Sequence, residues 1–373
     1  MKLKCYLSAL LVVIVLFVPM SAEAQKLKAG FDISEYAELL KLTSKNSDLV
    51  FGADMPHPEY HQLHYRSAVV GLDNAWELWK GEENTAVISV RGSTAAAESW
   101  IANFYAAMVP AKGSIQLQKD RIFTYELAEN PLAAVHVGWL VAMASMADDV
   151  VQKLDSSYNS GTKDFVIVGH SQGGGISFLL TAYLNKLQQQ GKLPGDIRFK
   201  TYCSAGPKPG NRFFADEYEL TMNDGWAFNV INVDDWVPEV PFSIQTVNDM
   251  SPTNPFSLAD QTIKKQPLVK RMVFKKLYKK MTKPAITAQQ NYQKYLGKMI
   301  SKSVKKHLHD FNAPEYYNSN FYVRTGRTIL FKGSESYYHR YPQTSEKFMT
   351  HHSFDAYLAI THERLVEENK KNR

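Results

Sequence analysis

Short apolar runs and longer amphipathic stretches alternate along the chain. Ile33, Tyr36, Ala37, Leu39 and Leu40 recur at helical spacing. Strand-like runs follow around residues 68–72 and 86–90, then near 134–136, 165–168, 199–203, 228–233 and 328–331. Helical patterns lie between several of them, notably over 139–154 and 176–189. Strands alternating with helices predict an α/β fold, a mostly parallel sheet covered by helices on both faces. The rhythm breaks from about residue 243 to 320, where Pro252, Pro255, Pro267 and Pro284 punctuate a Lys-rich, helix-like stretch. Residues 25–242 and 321–373 are therefore expected to form one domain, with 243–320 inserted as a helical basic cap.

Composition changes this picture at two places. The chain begins with Lys2 and Lys4, an apolar run over about 7–18 and the small-residue pattern Ala22-Glu23-Ala24, which reads as a signal peptide over 1–24 cut before Gln25. That run is shorter than the roughly 20 residues a membrane span requires, so a soluble exported protein, secreted or periplasmic, is expected. Of the 2 cysteines, cleavage would remove Cys5 and leave Cys203, so no internal disulfide is expected. The second place is the charge. The net +6 conceals a segment, residues 261–310, with 14 Lys/Arg and the single acid Asp310, a local +13 that leaves −7 for the remainder. An acidic remainder argues against a nucleic-acid partner.

Candidate chemistry centres on "DFVIVGHSQGGG". An apolar strand runs into Gly169-His170-Ser171-Gln172-Gly173 and a helical pattern starts at once, the context of a nucleophile elbow. Ser171 is the candidate nucleophile. Gly169 and Gly173 remove side chains that would collide across the strained turn, and the Gln172 amide at the helix start is a candidate oxyanion donor. A hydroxyl needs a base and a group to orient it. "FNVINVDDWVPEVP" supplies the acid at a strand end, Asp235 favoured over Asp234; "THHSFDAYL" supplies the base, His352 favoured with His351 as the alternative. Ser93, just past a strand in "VISVRGSTAAAESW", is the candidate second oxyanion donor or else a helix N-cap. His170 and His136 read as packing residues. There is no H-E-x-x-H and no cysteine cluster, so neither metal nor cofactor is expected.

Taken in order, these segments resemble the class 3 triacylglycerol lipases, a branch of the α/β-hydrolases. "SVRGSTAAAESWIANF", "VHVGW", "VGHSQGGG", "TYCSAGPKPGN", "NVDDWVPEVP" and "HHSFDAYL" are similar to that family's signatures, over most of residues 30–240 and again about 320–362. The alignment with D-x-V-P selects Asp235, and that with H-x-x-x-x-Y-L selects His352. Cys203 and Lys208 stand where the family has glycine and arginine. The resemblance implies hydrolysis of lipid carboxylic esters through Ser171, His352 and Asp235, with the oxyanion held at Ser93 and Gln172.

Two amphipathic stretches bear on the substrate. "AAAESWIANFYAAM" places Ala97, Trp100, Ile101, Phe104, Tyr105 and Met108 on one helical face, a candidate lid with Trp100, Ile101 and Phe104 at its centre. "LVKRMVFKKLYKKMTK" sets an apolar stripe, Val269, Met272, Val273, Leu277 and Met281, against Arg271, Lys275, Lys279 and Lys283. That is either a cap helix packing its stripe inward or a peripheral contact with an anionic membrane. Two other functions compete with the lipase: a phospholipase docked through this basic cap, and a non-catalytic lipid-surface or polysaccharide-binding protein on the same scaffold.

Overall fold

The computed structural model describes residues 27–47, 55–222, 225–344 and 346–371. The expected signal peptide, 1–24, lies outside the described residues. The centre of the molecule is a seven-stranded sheet: β1 (His61–Arg66), β2 (Trp76–Gly81), β3 (Thr85–Val90), β4 (Asp164–His170), β5 (Arg198–Ser204), β6 (Ala227–Asn232) and β7 (Arg327–Phe331). Spatial order follows chain order. β1, β2 and β3 pair antiparallel, whereas β3 through β7 run parallel. Every residue of β4 is buried, as expected of a parallel strand covered on both faces. This is the α/β-hydrolase arrangement, a mostly parallel sheet between helical layers.

The layers follow from amphipathic faces. On one side α1 (Ile33–Ser44) packs with α7 (Phe354–Lys371), joining Tyr36, Leu40, Val166, Tyr202, Phe228 and Tyr357 in one core. On the other, α3 (Val137–Asn159) and α4 (Gln172–Gln189) build a larger core around Leu140, Met143, Ile176 and Leu179. Asp32 starts α1 by accepting from the amides of Ser34 at 2.8 Å and Glu35 at 3.0 Å. Cys203 on β5 is wholly buried, and burial holds its thiol well above its ordinary pKa.

The run expected as a strand over 68–72 is instead a turn. Gly71 (φ 62°) and Asp73 (φ 60°) take left-handed backbone, Val70 and Asn74 bridge across it, and the Asn74 side chain accepts from the Leu72 amide at 3.1 Å. The strands flank it as β1 and β2. The candidate lid face is likewise divided: α2 (Ala97–Phe104) ends at Phe104, and Tyr105 and Met108 leave the helix and are buried.

The Lys-rich stretch leaves the body where Ile244 and Asn320 bridge, and the chain returns as Tyr322–Val323 pairs with Gly210–Asn211. Between them one continuous helix runs from α5 (Leu268–Tyr292) through a π-helical turn, Gln293–Met299, into α6 (Ile300–His307). Its stripe at Val269, Met272, Val273, Leu277 and Met281 is exposed, so the inward-packing alternative is not the one adopted.

Candidate active site

Ser171 sits between β4 and α4 at φ 60°, ψ −127°, a conformation costly for a residue with a Cβ. Two glycines permit it. A Cβ on Gly169 would lie 2.3 Å from the Gly173 backbone, and one on Gly173 would lie 2.3 Å from the Val90 carbonyl. Ser171 itself is anchored by its amide, which donates to the Ser204 carbonyl at 2.9 Å.

Asp235 follows β6 and is buried. Its Oδ1 accepts from the Val237 amide at 2.9 Å, while Oδ2 faces His352 Nδ1 at 2.8 Å and accepts from the Tyr357 hydroxyl at 2.8 Å. With Nδ1–H held by a carboxylate, Nε2 of His352 is the nitrogen left for chemistry. Their neighbours turn elsewhere. Asp234 accepts from Tyr338 Oη at 2.7 Å and Gln343 Nε2 at 2.9 Å, and His351 Nδ1 meets Tyr337 Oη at 2.9 Å.

His170 braces this row from beneath. Burial, reinforced by nearby His352, lowers its pKa well below the ordinary value and keeps it neutral. Its Nε2–H then donates to the His352 carbonyl at 2.8 Å, so Nδ1 accepts from Ser204 Oγ at 2.9 Å, which accepts in turn from Tyr36 Oη at 2.6 Å. Donor direction is thus fixed from α1 to the backbone of the imidazole. His136 is a separate buried histidine, stacked 3.8 Å from Trp139 and lowered by burial to a pKa of about 3.

On the opposite wall, Asn103 of α2 organises the candidate oxyanion loop. Its Oδ1 accepts from Gln172 Nε2 at 2.9 Å and Trp139 Nε1 at 3.1 Å, which aims Nδ2 at Ser93 Oγ, 2.9 Å away. Ser93 accepts there and keeps its own proton free to donate. It does not cap α2; Ala96 occupies that position, and its amide bonds Thr94 Oγ1 instead. The loop is tied further by Asp73, which accepts from Thr94 Oγ1 and from Arg91 Nη2 at 3.1 Å.

Ser93, Ser171, Gln172 and His352 open together onto a cavity of about 610 Å³ whose other walls include Trp100, Phe104, Trp236, Phe242, Leu296 and Phe348. Ile101 is partly buried against the core beside α3. Among the described residues no cluster of His, Cys, Asp and Glu could hold a metal.

Residues 87–245 match the family model described as lipase (class 3). Over that stretch the chain is similar to the class 3 lipases. The match runs from β3 past Asp235, and His352 lies beyond it. Among known proteins the chain is 30% identical over 175 residues to secreted mono- and diacylglycerol lipase 1 of Fusarium solani, covering 47% of this chain and 42% of that protein. It is 37% identical over 108 residues to secreted mono- and diacylglycerol lipase 3 of Gibberella zeae, covering 29% and 32%. These alignments span less than half the length of either relative. Among solved structures, the native Rhizomucor miehei lipase propeptide complex is 20% identical, with a TM-score of 0.41 over 57% of this chain and 65% of that one.

Within this candidate site, sequence reasoning missed Asn103, Tyr357, Tyr36, Ser204 and Asp73. Asn103 was visible only as a polar residue interrupting an apolar helix. The Tyr36–Ser204 contact joins residues 168 positions apart, with no local pattern to mark it.

Proposed function

We propose that the chain is an exported serine hydrolase that cleaves carboxylic esters of lipids through an acyl-enzyme. Ser171 Oγ attacks the acyl carbon while its proton passes to His352 Nε2. Asp235 holds that imidazole in the correct tautomer and stabilises its protonated form. The Gln172 amide and Ser93 donate to the oxyanion. Collapse expels the alcohol, which takes the proton from His352; water, deprotonated by the same nitrogen, then releases the carboxylic acid and restores Ser171. The observation that carries this reading is the Asp235–His352 hydrogen bond, at 2.8 Å, opening onto the cavity that Ser171 also faces.

The apolar walls suit acyl chains rather than peptides or sugars. The relatives' names favour mono- and diacylglycerols as substrates, and their description as secreted agrees with the expected leader. A non-catalytic scaffold would leave the strained serine and the oriented imidazole idle. Replacing Ser171 by Ala should lower turnover of a soluble p-nitrophenyl ester by at least about 10³-fold. Undiminished turnover would reject Ser171 as nucleophile.

A further inference from the structure

The geometry points to the outer half of α5, residues 268–283, as a docking surface for an anionic lipid bilayer, an inference that rests on the lipid-ester reading for its purpose. The apolar row is open to solvent: Val269 is 73% exposed, Met272 66%, Leu277 54% and Met281 70%. No described residue covers it. The same 16 residues carry seven cations and no acid. None of the seven forms an ion pair among the described residues.

The pattern is directional. Val269, Val273, Leu277 and Met281 succeed one another every fourth residue, and Lys276 and Lys280 flank them about 60° round the helix, where long side chains can reach past an apolar row to phosphates. Apolar side chains flanked by cations match acyl chains beneath an anionic headgroup layer. Two copies of the helix face to face would oppose seven cations with seven more, so self-association is disfavoured. A polyanion without acyl chains would leave the apolar row in water.

The docking half is continuous with the site. The helix passes through the π-helical turn, where Leu296 lines the cavity and its carbonyl accepts from the Ala107 amide at 3.3 Å. Tyr292, the last residue of α5, lines the same cavity, as do the partly exposed Trp100 and Phe104. An element seated on a bilayer is thereby built into the wall of the pocket that would take the ester.

The test is sedimentation of the full chain with vesicles of phosphatidylcholine alone or with about one-third phosphatidylserine, at low salt and near 0.5 M salt, where the Debye length falls to a few Å. The chain should partition at least about tenfold more strongly onto the anionic vesicles, and salt should abolish the difference. Combined replacement Lys275→Gln, Lys276→Gln, Lys279→Gln and Lys280→Gln should weaken that binding about tenfold or more, and Val273→Ser with Leu277→Ser should weaken it independently. Unchanged thermal unfolding of both variants confirms that they fold. Equal partitioning onto the two vesicle types, wild-type binding by the Gln variant, or a dimer that Val273→Ser with Leu277→Ser dissolves would each overturn the inference. Turnover of a soluble ester by the unaltered chain separates the two readings: turnover without docking removes this inference alone, and docking without turnover removes the hydrolase.

Discussion

Two regions of the molecule treat polar and apolar groups in opposite ways. Around Asp235, His352 and His170 the named polar atoms are matched except His352 Nε2, which faces the cavity: both Asp235 oxygens accept, both His170 nitrogens are bonded, and the chain of hydroxyls ends at Tyr36. Along residues 268–283 the cations form no ion pair among the described residues and the row Val269, Met272, Val273, Leu277 and Met281 is exposed. Buried polar networks are held together because an unmatched member is costly. Exposed rows tolerate change because water already surrounds them. The first region is complete by itself, whereas the second acquires meaning only with something outside the chain.

Paired substitutions test that contrast. The largest effect is expected inside the buried row: Asp235→Asn should lower ester turnover by about 10³–10⁴-fold, while Asp234→Asn, bonded at the surface to Tyr338 and Gln343, should change it by less than about twofold. Equal losses at both positions would mean that the carboxylate facing His352 has no special role. Next comes the same truncation in two settings. Leu179→Ala, in the core between α3 and α4, should cost about 2–5 kcal/mol of stability. Leu277→Ala should stay within about 0.5 kcal/mol in denaturant titration, and a comparable loss there would show that the stripe packs inward after all.

The third contrast is a dependence on pH. His136 binds its proton with a pKa of about 3 in the folded chain, below the ordinary 6.5, and that of His170 is depressed too. As pH falls below 6.5 the unfolded chain takes up protons that the folded chain refuses, so the stability from their neutral burial is present above that pH and lost below it. Each group contributes a slope of up to about 1.4 kcal/mol per pH unit. Urea midpoints should therefore drop between pH 6.5 and 4.5, less steeply in His136→Asn. An unchanged slope in that variant would refute a neutral His136.

Much of the site was legible because its chemistry coincides with local signals. "DFVIVGHSQGGG" carries a buried strand, an elbow and a helix start within twelve letters, and Asp235 and His352 each sit at the junction of an apolar run and a turn. β1 was not legible: "HQLHYR" lies at the sheet edge, where only one flank is paired and no apolar alternation is required. The run over 68–72 misled for the converse reason, since its valines are apolar but Gly71 and Asp73 curl the backbone. Asn103 was hidden because its importance comes from three partners distant in sequence. Helical periodicity located the stripe on α5 but carried no information about what it faces.

The burial of Cys203 has a practical side. In a chain beginning at Gln25 it is the sole thiol, enclosed and held in its protonated, unreactive form. A cysteine introduced on the outer turns of α5, such as Val269→Cys, would then take a maleimide dye alone, without any background mutation. Fluorescence from that one position could follow the helix from water into a lipid headgroup layer in real time.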